Sequence, residues 1–139
     1  MINFNYEIDF SLENEKQYSD WISRIILSEN REEGELNYIF CSDSFLHEIN
    51  KKYLDHDTYT DIISFDYSEG KLLQGDIFIS IERVIENSNT YNVPFENELQ
   101  RVMAHGVLHY IGYKDKAADE KEEMRKKEDE KIKMFHVEQ

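Results

Sequence analysis

The sequence has 139 residues, of which 40% are hydrophobic and 13% aromatic, and it carries a formal net charge of −14. This length predicts one domain over residues 1–139, and the single proline and five glycines exclude collagen-like and low-complexity classes. The acidic excess argues against charge-driven nucleic-acid binding, because neutralising phosphates requires clustered Lys and Arg. One cysteine and no apolar run of roughly 20 residues predict a cytoplasmic protein with no membrane partner.

The first half of the chain alternates between strand and helix patterns. Residues 2–10 alternate apolar and polar side chains, which predicts a strand with one buried face. Ser11 or Asn14 can cap the helix that follows, whose apolar residues recur at three- and four-residue spacing. Residues 35–41 predict a second strand, and residues 42–54 predict a short helix that opens with a capping-type Ser-Asp-Ser.

The second half predicts two strands followed by three helices. Residues 61–67 and 75–81 are rich in β-branched and aromatic side chains, and we expect them to be neighbouring central strands. The predicted helices run from Ser80 to near Asn89, from Pro94 to Gly112, and over residues 117–134. The last is highly charged, with Met124, Ile132 and Met134 as apolar anchors. This order predicts an α/β (α+β) fold with a mixed sheet of about four strands and about five helices.

The segment HGVLHYIGYKD, residues 105–115, has the spacing of a metal site. His105 and His109 are four residues apart on a predicted helix, so their imidazoles lie one turn apart on one side. Gly112 can take a positive φ and end the helix, which returns Asp115 to that side. Three ligands from one segment leave an open coordination position, as in catalytic zinc sites. The two histidines alone are equally compatible with a half-exposed polar helix face.

Two further residues on this helix bear on the chemistry. The spacing HxxxHxxGxxD repeats that of the long metzincin zinc motif, with Gly106 in place of the general-base glutamate, which disfavours peptide hydrolysis. A metal with an open position can still activate water for other hydrolyses. Glu98 lies seven residues before His105, on the same side of the helix. It is a candidate catalytic residue, but we favour a role in orienting a histidine or pairing with Arg101.

HGVLHYIGY, residues 105–113, resembles the signature HGxLHxxGYDH of the YbeY family of bacterial metal-dependent endoribonucleases. INKKYLDHDTYTDIISF, residues 49–65, is similar to the family's LNxxYRxxDxPTDVLSF, and GDIFIS, residues 75–80, is similar to its GDIxIS. Glu98, Leu99 and Arg101 fit the ELxR that precedes the histidines. The resemblance implies a single-strand-specific endoribonuclease that acts in 16S rRNA 3′-end maturation and 30S quality control.

The resemblance also implies a ligand set and partners. His105, His109 and Asp115 would hold one zinc ion per chain, with manganese, iron or nickel as alternatives because Asp115 stands where the family has histidine. The implied partners are ribosomal RNA, the 30S subunit and ribosome-associated proteins, without DNA, for a cytoplasmic monomer.

The family's RNA-binding cleft corresponds to a larger set of positions in this sequence, namely Leu54, His56, Asp57, Thr60 and Lys114. Leu54 replaces an arginine that the family is thought to use for phosphate contact, and leucine has no charge and no donors. Because of Leu54 and Asp115, one alternative is a non-catalytic ribosome-biogenesis binding protein with a structural or vestigial metal. A third hypothesis, a metallopeptidase, is weakened by Gly106.

Overall fold

The computed structural model describes residues 1–54 and 60–136, and the helices and strands in these ranges follow the predicted order. The strands are β1 (Ile2–Tyr6), β2 (Glu32–Cys41), β3 (Ile62–Asp66) and β4 (Leu72–Ser80). The helices are α1 (Glu15–Ser28), α2 (Asp43–Leu54), α3 (Ile81–Tyr91), α4 (Phe95–Ile111) and α5 (Ala118–Met134). The predicted α+β fold, with a four-stranded mixed sheet and five helices, is confirmed.

The sheet has the strand order β1-β2-β4-β3, in which β1, β2 and β4 are parallel and β3 is antiparallel to β4. Strands β3 and β4 are neighbours, as predicted, but the prediction that both are central is wrong for β3, which lies at an edge. The error has a physical cause, because β3 is covered on both faces as a central strand would be. Ile62 packs against the main core and Ile63 belongs to a second apolar cluster under α2.

The first strand ends earlier than predicted. The backbone N–H of Phe10 donates to the carbonyl of Ile8 at 2.8 Å, a tight turn that takes the chain out of the sheet after Tyr6. Ile8 and Phe10 still pack against the main core. The apolar alternation therefore identified the inward-facing side chains correctly, although it overestimated the length of the strand.

Helices cover both faces of the sheet. The main core lies between one face of the sheet and helices α1 and α4, and its largest fully buried side chains include Trp21, Tyr38 and Phe40. Helix α2 packs on the other face, where Leu46 meets Cys41 and Ile63. In the part of the chain that the structure describes, no helix combines the length and hydrophobicity needed to cross a bilayer.

Helix α5 docks mainly through polar contacts. Of its predicted apolar anchors only Met124 is fully buried, and the other buried residues of the helix are Glu128 and Lys131. The Lys131 ammonium bonds Glu29 at 2.8 Å and Ser28 at 2.9 Å, both at the end of α1. This network holds α5 beside the end of α1, which matters for the site described next.

Candidate metal centre

Helix α4 places the two histidines, and the turn after it places the aspartate. The helix ends at Gly112, whose φ of 122° requires a glycine. The Gly112 N–H donates to the carbonyls of Leu108 and His109, both at 3.1 Å, which closes the last turn. The chain then reverses, and Asp115 returns beside the histidines, as the sequence predicted.

The three predicted ligand atoms converge. The Nε2 atoms of His105 and His109 lie 3.0 Å apart, and Asp115 Oδ2 lies 3.2 Å from the first and 3.4 Å from the second. Tetrahedral ligands at about 2.0–2.1 Å from a zinc ion are roughly 3.3 Å from one another. Two imidazole nitrogens and one carboxylate oxygen at this spacing therefore fit a single divalent ion such as zinc. Among the described residues, these three have ligand atoms close enough together to hold one metal ion.

Close packing against the sheet fixes the rotation of α4. A Cβ at Gly106 would lie 3.1 Å from the side chains of Ile62 and Ile77, so the helix approaches the sheet closely on this face. The Tyr110 hydroxyl donates to the carbonyls of Phe65 and Asp76, at 2.8 and 3.0 Å. Because position 106 faces the sheet, it could not present a general base beside the histidines, which agrees with the argument against peptide hydrolysis.

A carboxylate from α5 orients the first histidine. Glu128 Oε2 lies 2.7 Å from His105 Nδ1, so the Nδ1–H tautomer donates to it and leaves the Nε2 lone pair for a metal. Arg101 donates to Glu128 at 2.9 Å and to Asp129 at 2.8 Å, which holds both carboxylates of α5 against α4. Burial lowers the pKa of His105, but the neighbouring Glu128 and Asp115 carboxylates outweigh it and raise that pKa above its usual value.

Sequence reasoning missed Glu128 and assigned its role to Glu98. In the structure Glu128 makes the ion pair with Arg101 and the contact with His105. The charge of Arg101 also acts on the Glu98 carboxyl, so the orienting roles considered for Glu98 stay predictions. The catalytic role considered for Glu98 stays a prediction.

A cavity of about 250 Å³ adjoins the metal group, and Glu98 lies in its wall together with His105 and Asp115. Asp61, immediately before β3, lines the same cavity; it ends the segment of residues around 54–61 that the family resemblance predicts along the cleft. Burial raises the pKa of both the Asp61 and the Glu98 carboxyls. The site thus combines metal-ligand geometry with two desolvated carboxyl groups, a combination typical of catalytic clefts.

The predicted cleft residues are only partly brought together. Leu54 ends α2 with 42% of its surface exposed, and Thr60 donates its hydroxyl to the Ile62 carbonyl at 3.4 Å, one residue before Asp61. Lys114 is exposed and lies in a separate depression beside Gly112. His56 and Asp57 lie outside the described residues. The roles of all five in RNA binding stay predictions.

Comparisons with known proteins agree with the motif resemblance. The family described as Endoribonuclease YbeY matches residues 3–136. A protein named Endoribonuclease YbeY from Flavobacterium johnsoniae is 63% identical over 139 residues, covering 100% of both chains. One of the same name from Christiangramia forsetii is 57% identical over 138 residues, covering 99% of this chain and 96% of the relative.

A solved structure shares the fold. The solution structure of a Thermotoga maritima protein superimposes with a TM-score of 0.72 at 27% sequence identity, covering 97% of this chain and 89% of the other. A further relative named Endoribonuclease YbeY, from Bacteroides fragilis, is 45% identical over 119 residues, covering 86% of each chain. The chain belongs to the YbeY endoribonuclease family.

Proposed function

We propose that this protein is a metal-dependent endoribonuclease that hydrolyses phosphodiester bonds in single-stranded RNA. The observation that carries the proposal is the convergence of His105, His109 and Asp115 to 3.0–3.4 Å in a chain whose relatives are named endoribonucleases. Its substrate would be the 3′ end of 16S rRNA, during maturation and quality control of the 30S subunit. Its partners would be ribosomal RNA and ribosome-associated proteins, met by a monomer in the cytoplasm.

The three ligands would hold one ion per chain. Two imidazoles and a carboxylate suit zinc, and also manganese, iron or nickel. When bound, such an ion supplies Lewis-acid stabilisation of phosphate oxygens and a water activated for hydrolysis. The protein's own contribution is to fix the donors, because Glu128 selects the tautomer of His105 and Arg101 holds Glu128 in place.

Because Leu54 stands where the family has an arginine, a different cationic side chain would have to contact the phosphate of the RNA. Leu54 offers no donor there, while the neighbouring Lys51 and Lys52 are exposed on the last turn of α2. Arg125 is the stronger candidate, because its side chain is 58% exposed and lines the cavity beside His105. Its guanidinium can donate two parallel hydrogen bonds to a phosphate, which a lysine cannot do.

The alternative hypotheses receive less support. A non-catalytic binding protein with a structural metal would favour four protein ligands, whereas three converge among the described residues. A metallopeptidase would need a base at position 106, where a side chain would be pressed against Ile62 and Ile77. Relatives named endoribonucleases favour nuclease chemistry over both.

Two measurements, each on the wild type and a ligand variant, test the proposal. Metal content by mass spectrometry should give about one ion per chain for the wild type, and a sharp loss in Asp115→Ala. Cleavage of a single-stranded rRNA fragment should depend on that metal and disappear in His109→Ala. His136→Ala, which removes an exposed histidine outside the site, is the matched control and should retain both properties. A wild type that binds no zinc, manganese or nickel, or cleavage that survives in His109→Ala, would refute the proposal.

A further inference from the structure

The wall of the cavity beside the metal group contains a carboxylate that no described residue contacts through a hydrogen bond. Glu98 exposes only 5% of its surface. Within residues 1–54 and 60–136 its carboxylate makes no hydrogen bond or ion pair at contact distance, and the nearby Arg101 guanidinium, whose charge acts on it, donates its hydrogen bonds to Glu128 and Asp129. The two carboxylate oxygens are not among the described atoms that are shut off from solvent without a partner, so they are reachable from the open space of the cavity, where the donor groups of a ligand can approach them.

Glu98 is oriented toward the cavity rather than toward the core. The charged groups that act on its carboxyl belong to Arg101, Asp61, Arg125 and Glu128, all of which line the same cavity. The neighbouring wall residue Asp61 accepts from Asn87 at 3.4 Å, so its carboxylate is already partnered. Among these acidic residues, Glu98 therefore has both acceptor oxygens available.

The rim of the cavity offers a surface for a planar ring. Tyr91, at the end of α3, is 60% exposed and lines the cavity. Arg125 lines it from α5 with its side chain 58% exposed. Aromatic rings and guanidinium planes are the groups on which unstacked RNA bases stack. A base drawn toward this rim can insert its polar edge toward Glu98 while its phosphate stays near His105 and Asp115.

We infer that this cavity is a base-recognition subsite for guanine, read by the Glu98 carboxylate. Guanine alone among the four RNA bases presents two adjacent donors on its Watson–Crick edge, N1–H and the N2 amino group. A carboxylate has two acceptor oxygens and no donor, so it can accept from both. In adenine and cytosine, the amino group lies next to a ring nitrogen that is an acceptor and would be repelled by the carboxylate. In uracil, the single N–H donor lies between two carbonyl acceptors, which the carboxylate would also repel.

This inference rests on the proposed function, because it assigns a sequence preference to that reaction. It is tested separately by binding of nucleoside monophosphates, which contain no internucleotide bond and cannot be cut. The full-length protein is titrated with guanosine, inosine, adenosine, cytidine and uridine 5′-monophosphates, and dissociation constants are measured by NMR chemical shifts. All five carry the same phosphate, so any contact of the phosphate with a metal cancels from the ratios.

The expected preference is roughly 5- to 150-fold for guanosine over adenosine monophosphate, the range of one good bidentate contact. Inosine monophosphate, which lacks the N2 amino group, should bind with intermediate affinity. Glu98→Gln replaces one acceptor oxygen with a donor amide and should move the preference from guanine to adenine, because a carboxamide complements adenine. Glu96→Gln, an exposed glutamate on the same helix, is the matched control and should leave the series unchanged.

Three outcomes would overturn the inference. Equal affinities for the five wild-type ligands would refute it without any variant, whether or not Glu98→Gln folds. Loss of RNA cleavage in Glu98→Gln by the same factor at every base, with the binding series unchanged, would assign Glu98 to the chemistry instead. If guanine is preferred but no RNA is cleaved, the subsite stands and the proposed function fails. If RNA is cleaved without any base preference, the function stands and the subsite fails.

Discussion

Removing Glu128 should weaken metal binding although Glu128 is not a ligand. The carboxylate lies 2.7 Å from His105 Nδ1 and its side chain is 7% exposed, so water replaces it poorly as an acceptor. In Glu128→Ala the ring is free to turn and to take the tautomer that protonates Nε2, the nitrogen facing His109. Loss of such an orienting carboxylate typically lowers metal affinity by roughly 10- to 100-fold, or about 1.4–2.7 kcal/mol.

Zinc affinity is measured by competition with a chromophoric chelator. Glu128→Gln retains one acceptor for the Nδ1–H and should fall between the wild type and Glu128→Ala. Asp129→Ala is the matched control, because it removes the other partner of Arg101 without touching His105. Asp129 is 52% exposed, so its loss should change affinity by less than about fivefold, as for an exposed ion pair.

If Glu128→Ala binds zinc as tightly as Asp129→Ala does, Glu128 does not orient His105 for metal binding. A second readout separates orientation from general unfolding. Nitrogen NMR of the metal-free protein should show His105 as the Nδ1–H tautomer in the wild type and as a mixture in Glu128→Ala. The circular dichroism spectra of Glu128→Ala and Asp129→Ala, recorded at the same temperature, should remain those of a folded protein.

Three further predictions concern the packing and ionisation of single residues. Gly75→Ala should destabilise the protein by about 1–3 kcal/mol or more in urea unfolding, since its Cβ would overlap the Phe65 carbonyl oxygen. Gly70→Ala, whose Cβ would have no neighbouring atom within 4 Å, should lose less. Burial raises the pKa of Glu98, so its ionised form destabilises the fold above that pKa. Glu98→Gln should therefore raise the melting temperature at pH 7, with a gain that shrinks on acidification; a lower value at pH 7 would contradict this. Burial raises the pKa of Cys41 to about 12, so the native thiol should not react with thiol reagents at pH 8 until urea unfolds the protein.

The metal ligands could be predicted because they are local in sequence. Four-residue spacing on one helix fixes the relative positions of His105 and His109, and a glycine with positive φ fixes the return of the chain to Asp115. No tertiary information is needed for this part of the site. The burial patterns of β2 and β4 were predictable for the same reason, since alternation in a strand is a local property.

The residues that orient the metal ligands and position α5 could not be predicted in this way. Glu128 lies 23 residues beyond His105, in a helix whose alternating charges give no local sign of which glutamate is buried. Lys131 is buried at 1% exposure although lysine is normally a surface residue, because Glu29 from a distant helix meets it at 2.8 Å. Such contacts depend on how α5 docks, and no periodicity within α5 encodes that.

Helix α5 therefore connects the stability of the fold to the chemistry of the site. Near one end of α5, Lys131 forms an ion pair with Glu29. Nearer its middle, Glu128 forms an ion pair with Arg101 and also orients His105. These ionic contacts act together with the apolar contacts of Met124 and of Phe135, the residue that follows α5, to set the position of the helix. Paired buried charges tolerate the loss of one partner poorly, since the other is left desolvated. A change that detaches α5 should thus remove the orientation of His105 even while all three ligands remain in the sequence. The motif specifies which atoms can bind the metal, and α5 holds the His105 ring in the orientation that binding requires.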